Sequence, residues 1–228
     1  MDIERQLTGI VGRKWVFSGP AAQRLYSHDT SAFHGLPQLV VLPGDREQVA
    51  AVLAACTQAG VPVTPRGAGT CLSGGPVPVQ GGIVLALTRL NHILHLDPVE
   101  SLAVAEPGVT NQQLQKAAAR HGLMFPPDPA SQRVSTLGGN VAENAGGPRA
   151  FKYGVTRNYV LALEYTLPDG TVQETRWDAG NGPDLTSLLV GSEGTLAVLT
   201  RLALRLVPLP THYLTLTVCF ATVEQACR

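Results

Sequence analysis

The stretch Pro65-Arg66-Gly67-Ala68-Gly69-Thr70-Cys71-Leu72-Ser73-Gly74-Gly75 constrains the fold more than any other part of the chain, because five of its eleven residues are glycine or alanine. Backbone with so few Cβ atoms reaches φ > 0 and brings several N–H groups within hydrogen-bonding distance of one anion. The loop follows Val61-Pro62-Val63-Thr64, a β-branched run, and leads toward Gly82 to Leu87, another, so it lies between two strands of one sheet. It is neither a Rossmann fingerprint nor a P-loop: no G-x-G-x-x-G opens a helix here, and no Gly-Lys-Ser/Thr occurs. Two readings stay open at this point, a diphosphate cradle and a plain turn.

A second segment of similar character favours the cradle. Pro126-Pro127-Asp128-Pro129-Ala130-Ser131 is followed by the small-residue run Ser135 to Gly147, which includes Gly138, Gly139, Gly146 and Gly147. Two such loops, far apart in sequence, can close over one extended cofactor.

The rest of the composition excludes several classes. Seventeen basic residues balance seventeen acidic ones, and no basic block stands out to neutralise phosphates in number, which argues against nucleic-acid binding. No apolar run approaches the roughly 20 residues needed to span a bilayer, and Met1 to Leu7 lack a signal-peptide core, so a cytoplasmic protein is expected. Cys56, Cys71, Cys219 and Cys227 have no C-x-x-C spacing, so no metal site is expected, and they read as reduced thiols, Cys56 facing a core. The six histidines are scattered.

Along the chain, Ile3 to Val11 reads as a helix and Gln38 to Leu42 as a buried strand. Asp45 and Gln48 form a capping-box pattern ahead of Val49, Val52, Leu53 and Cys56 at helical spacing, with Gly60 as the stop. Strand, helix, strand implies a right-handed βαβ unit with the glycine loop at the carboxyl end of its second strand, where open α/β sheets place ligands. Ile93 to Asp97 and Leu102 to Glu106 read as strands, and Thr110 with Gln113 caps a helix that ends near Gly122. Val160 to Leu167 and Thr171 to Trp177 read as a hairpin about Pro168-Asp169-Gly170, a short helix spans about Asp184 to Val190, and Thr195 to Val207 is a long β run. Tyr213 to Phe220 reads as a strand and Thr222 opens a helix, as though a further domain begins there. Helices and strands in this order predict an α+β fold of two lobes, a small βαβ lobe and a larger mixed or antiparallel one, with the glycine loops at their seam.

From about Tyr26 to Pro210 the sequence resembles the FAD-binding (PCMH-type) domain of the FAD-linked oxidases, the vanillyl-alcohol-oxidase family, and within it the glycolate oxidase flavin subunits and D-lactate dehydrogenases. Seven blocks in order carry the likeness: Pro65 to Gly75, Pro127 to Ser131, Leu137 to Gly147, Lys152 to Gly154, Leu167 to Gly170, Gly191 to Thr195, and Leu204 to Pro210. The resemblance implies an FAD-binding domain over residues 1–210, with lobes at about 1–95 and 96–210, and residues 211–228 as the start of a substrate or cap domain.

It also implies site residues. Pro65, Arg66, Gly67, Ala68, Gly69, Thr70, Cys71, Ser73 and Gly74 would hold the FAD diphosphate, largely through backbone N–H groups. Pro127, Asp128 and Ser131 would run along the cofactor, and Gly138, Gly139, Asn140, Asn144, Gly146 and Gly147 would admit the flavin side. Tyr153 and Gly154 belong to a further matching block, with Tyr153 against the fold or the flavin edge, and Glu193, Gly194, Thr195 and Val198 would close over the nucleotide. Relatives sometimes carry a flavin-linked histidine where this chain has Thr70, so non-covalent FAD is expected. Cys71 replaces the family's usual glycine, and a position requiring φ > 0 would strain it.

The activity implied is oxidation of a 2-hydroxy acid such as glycolate or D-lactate to the 2-oxo acid, with hydride passing to the flavin. The base and the carboxylate-binding arginine would come mainly from a cap domain, so no catalytic residue is assigned. The alternative is a non-catalytic FAD-binding subunit of a multi-subunit oxidase. Implied partners are other oxidase subunits, an iron–sulfur one among them, and seam surface without its cover predicts dimerisation.

Overall fold

The computed structural model describes residues 2–175 and 182–227. The first half of the chain builds a four-stranded sheet. In chain order it contributes α1 (Ile3–Val11), β1 (Val16–Phe17), α2 (Pro20–Leu25), β2 (Leu39–Val41), α3 (Arg46–Ala59), β3 (Val63–Arg66) and β4 (Ile83–Ala86). The strand order is β1-β2-β4-β3, with β2, β4 and β3 parallel and β1 antiparallel at the edge. Every residue of β2 and β4 is buried, as parallel strands covered on both faces require. On one face Val49, Val52, Leu53 and Cys56 of α3 meet Leu7 and Val11 of α1, and on the other Val40, Val84 and Ala86 pack against Ala22 and Tyr26. Burial pushes the Cys56 thiol up to about 11.

The caps explain where α3 starts and stops. Asp45 accepts from the Gln48 N–H at 2.7 Å, while the Gln48 side chain reaches back to the Gly44 N–H, one residue beyond the usual return of a capping box. Gly60 closes the helix in the left-handed conformation (φ 65°), where it has no Cβ to clash.

The second half adds β5 (Ile93–Asp97), β6 (Leu102–Ala105), α4 (Asn111–Ala119), β7 (Leu123–Met124), α5 (Leu137–Ala142), α6 (Ala150–Tyr153), β8 (Val160–Thr166), β9 (Val172–Glu174), α7 (Leu185–Leu189), β10 (Val198–Arg205), β11 (Val207–Pro208) and α8 (Val223–Ala226). Strands β5-β6-β10-β8-β9 form an antiparallel sheet, and β11 pairs with β7. Its core gathers Leu114, Phe125, Leu137, Leu163, Leu202 and Leu204, all at most 1% exposed. Thr110 and Gln113 form both arms of the capping box that starts α4.

The hairpin turn at Asp169–Gly170 joins β8 to β9 and tucks under α3: a Cβ on Gly170 would stand 2.7 Å from the Ala50 carbonyl oxygen. Arg176 and Trp177, the expected end of the returning strand, lie outside the described residues. Tyr213 to Phe220 corrects an expectation. Its alternation is that of a strand, yet the segment makes no ladder among the described residues and is exposed throughout, because a strand exists only with a partner to pair against. Thr222 does cap α8. Among the described residues no helix is long and apolar enough to cross a membrane.

Candidate functional site

The glycine loop leaves the carboxyl end of β3, where the Arg66 carbonyl still accepts from the Leu87 N–H at 2.9 Å. Arg66 itself turns beneath the loop. Only 7% exposed, its guanidinium donates to the Pro76 carbonyl at 3.3 Å, tying the loop's two ends, and stacks 5.4 Å over the Tyr26 ring. Burial lowers its pKa from the ordinary value, partly opposed by Tyr26 and Asp29. No ion pair reaches it among the described residues.

Small residues are needed here for room as much as for conformation. Gly69 (φ 73°) and Gly74 (φ 89°) occupy the left-handed region, and a Cβ at Gly69 would overlap the Arg66 guanidinium, while one at Gly74 would stand 2.6 Å from the Phe33 ring. A Cβ at Gly67 would overlap the Thr136 hydroxyl of the second loop, and one at Gly138 would stand 2.5 Å from Pro107. Cys71 is absent from the left-handed region, so it replaces glycine without backbone strain. Its thiol, raised chiefly by desolvation, contacts Glu143 Oε1 at 3.1 Å, while the Ser73 hydroxyl donates to Glu143 Oε2 at 2.9 Å. Glu143 at the end of α5 thus straps the outer half of the loop to the second loop.

Both loops line one cavity of about 600 Å³. Residues Pro65 to Cys71 and Ser73 form one wall, joined by Ser131, Gly138, Gly139, Asn140 and Gly146, with Glu193, Gly194 and Val198 across from them. Two wall side chains are buried with an atom that has no protein partner, Ser135 Oγ and Asn140 Nδ2. Among the described residues, the backbone N–H groups of Gly67, Ala68, Gly69 and Thr70 donate to no protein acceptor. Buried polar groups in folded chains are normally satisfied, so a wall with open donors and a hydroxyl is shaped for a polar ligand.

Other expected site residues stand outside this wall, and each has a visible structural task. Pro127 accepts from Asn111 Nδ2 at 3.0 Å. Asp128 pairs with Arg149 at 3.3 Å, and a Cβ on Gly147 would overlap the Asp128 carbonyl oxygen and carboxylate, so Gly147 makes room for that residue. Asn144 (φ 50°) accepts from the Arg157 N–H, and Gly154 ends α6 against Asn158. Tyr153 packs on the second core, Thr195 donates to the Ser192 carbonyl at 2.6 Å, and Gly74 points its N–H away toward Asp29. The sequence reading missed Thr30, Pro107, Ser135 and Thr136 as wall residues. Ser135 and Thr136 had a signal, since they open the small-residue run. Thr30 had none, because it arrives from a segment some forty residues upstream of the loop. Among the described residues no three metal-ligating side chains cluster.

Comparison with known proteins is consistent across sequence and structure. Residues 37–176 match the family described as "FAD binding domain". The chain is 38% identical over its whole length to the glycolate oxidase subunit GlcD of Bacillus subtilis, covering 49% of that protein. It is 45% identical to the D-lactate dehydrogenase of Archaeoglobus fulgidus across 82% of this chain and 43% of that one. The chain therefore spans less than half the length of these relatives. Among solved structures, alkyldihydroxyacetonephosphate synthase superposes with a TM-score of 0.83 at 25% identity, over 92% of this chain and 41% of that one. p-Cresol methylhydroxylase superposes with a TM-score of 0.78 at 21% identity, over 92% and 44%, which speaks to the fold.

Proposed function

The chain belongs to the FAD binding domain family of flavin-linked oxidoreductases, and from that premise we propose that it is the flavin-holding part of an enzyme oxidising small 2-hydroxy acids such as glycolate or D-lactate. Its cofactor is FAD. The observation that carries the proposal is the convergence of two distant small-residue loops on one cavity whose wall holds open amides and two unpartnered buried polar atoms.

The residues present fit that cofactor. Amides of Gly67 to Thr70 would receive the diphosphate, with the buried Arg66 guanidinium supplying positive field from beneath. Ser135 and Asn140 would meet polar groups of the cofactor, and Glu193, Gly194 and Val198 would cover its other side. Thr70 stands where some relatives carry a flavin-linked histidine and has no imidazole to form that bond, so in this reading the cofactor is held non-covalently. When bound, FAD accepts the two electrons released as a CH–OH becomes C=O. The chain's own residues bind and orient it and exclude water from its buried face. Among the described residues no histidine lines the cavity, and in this reading the base and the arginine for the substrate carboxylate come from the part of the relatives that this chain does not span. Like the GlcD relatives, the protein works as a subunit beside other oxidase subunits.

Anaerobic titration of the purified, FAD-loaded protein with glycolate or D-lactate tests this. Loss of the oxidised flavin absorbance supports the proposal. Flavin that binds and never bleaches, with other subunits supplied, would replace it with a non-catalytic FAD-holding role, and failure to take up FAD would overturn it.

A further inference from the structure

Asp29 lies outside the cavity wall, is 7% exposed, and forms no ion pair among the described residues. Its Oδ1 accepts from the Ser31 N–H at 2.7 Å and from the Ser31 hydroxyl, and its Oδ2 accepts from the Gly74 N–H at 3.0 Å. The next residue, Thr30, donates its N–H to the Cys71 carbonyl at 3.0 Å and contributes to the wall. The segment is itself closed, since the Gly35 N–H donates to the Ser27 carbonyl at 2.9 Å and His28 bridges to His34. It therefore acts as a rigid splint with two attachments to the outer half of the glycine loop.

A carboxylate beside an anion-binding loop opposes the anion it helps to bind, so its presence needs a reason. Resting on the FAD reading above, we propose that Asp29 is a positioning residue for the diphosphate: it holds Gly74 outward so that the amides of Gly67 to Thr70 stay aimed into the cavity. An asparagine cannot do the same work. It has one acceptor oxygen for two sets of donors, and its NH₂ would face the Gly74 N–H or the Ser31 donors. Burial alone would raise the Asp29 pKa, yet the Ser31 hydroxyl, the Ser31 and Gly74 amides and the Cys71 thiol together bring it below the ordinary value, which matches a carboxylate kept ionised to accept. Arg66 on the loop's inner side faces the same charge.

The test compares wild type, Asp29→Asn and Ser31→Ala for affinity to FAD and to riboflavin, which lacks the diphosphate, with the melting temperature of each apo protein alongside. Asp29→Asn is expected to weaken FAD at least tenfold, leave riboflavin within about twofold and leave melting near wild type. Ser31→Ala, which keeps the Gly74 attachment, is expected to weaken FAD by less than threefold. Equal loss of FAD and riboflavin affinity tracking a lowered melting temperature would assign Asp29 to general stability and overturn the proposal, as would unchanged FAD binding. Wild type that binds no FAD would overturn the cofactor reading first. Hydrogen exchange on wild type gives a check free of any variant: Gly74 N–H protected in the apo protein, and Gly67 to Thr70 protected after FAD is added. Rapid apo exchange at Gly74 overturns the proposal.

Discussion

Gly69→Ala is the smallest change that sets the loop against itself. The φ of 73° lies where an L-residue costs about 1–2 kcal/mol, and the new Cβ would sit 2.5 Å from Arg66 Cζ, too close for the guanidinium to remain. Moving that group gives up the 3.3 Å bond to Pro76, about 1 kcal/mol, and the contact with Tyr26, about 0.5–1 kcal/mol. The sum is about 2.5–4 kcal/mol if the loop keeps its shape. Among the described residues the amides of Gly67 to Thr70 have no protein acceptor, so without FAD this inner half can shift and most of the cost appears on binding, as a loss of affinity of roughly 60- to 700-fold. Flavin fluorescence titration of the apo protein measures it, and urea unfolding of the same sample shows how much falls on stability instead. A Cβ at this position meets the Arg66 guanidinium before anything else, so a bulkier residue such as Trp would also begin by displacing the arginine. Wild-type FAD affinity together with wild-type unfolding in Gly69→Ala would refute both the placement of Arg66 and the need for a left-handed residue.

Two further outcomes follow from the geometry of the surrounding framework. Glu164, with its side chain 3% exposed, accepts from Arg46 and Arg201 at 2.8 Å each and from the Thr200 hydroxyl at 2.8 Å. Glu164→Ala should cost about 2–3 kcal/mol in urea unfolding, less than a fully buried broken pair, because both arginines remain partly solvated; no shift in the midpoint would show that the network is dispensable. Gly9 lies within α1, and a Cβ added there would meet nothing within 4 Å, so Gly9→Ala should stabilise the protein by about 0.5–1 kcal/mol without altering FAD affinity, and a loss of stability would contradict the helix.

What the sequence revealed and what it hid divide along the range of the interactions. Thr110 with Gln113, Gly60 after Cys56, and Asp169–Gly170 between β8 and β9 each act over a few residues, so their chemistry is visible in order along the chain. The glycine loop was visible for the same reason. A run of small residues, however, does not announce which neighbour each missing Cβ makes room for. Gly138 gives way to Pro107, Gly147 to Asp128 and Gly67 to Thr136, and these three partners come from three different places in the chain. Asp29 carried no local signal, and Glu143, though inside the second small-residue run, gave no sign of its partner, since each matters through a contact with a loop more than forty residues away. Tyr213 to Phe220 shows the converse: a clear local pattern with no partner among the described residues to convert it into a ladder.

The same contrast decides which part of the site is most easily tuned. The cavity's walls from the two sheets are set against each other by α3: Arg46 reaches Glu164 on β8, Thr57 donates to the Pro168 carbonyl, and Gly170 lets the hairpin close onto the helix. Val198 of β10 belongs to the first core while also facing the cavity. That framework joins these polar ties to the buried apolar face of α3, so a change in it falls on the stability of the whole fold. The Gly67–Gly75 loop has no ladder of its own and is held by side chains: Arg66 at its base, Asp29 at its outer end and Glu143 across to α5. Each strap is worth only about 1–3 kcal/mol, yet each acts directly on amides that face the ligand. Substitutions in the straps should therefore change cofactor affinity by one or two orders of magnitude while the fold persists, whereas substitutions in the α3 framework should lower stability before they alter how FAD is held.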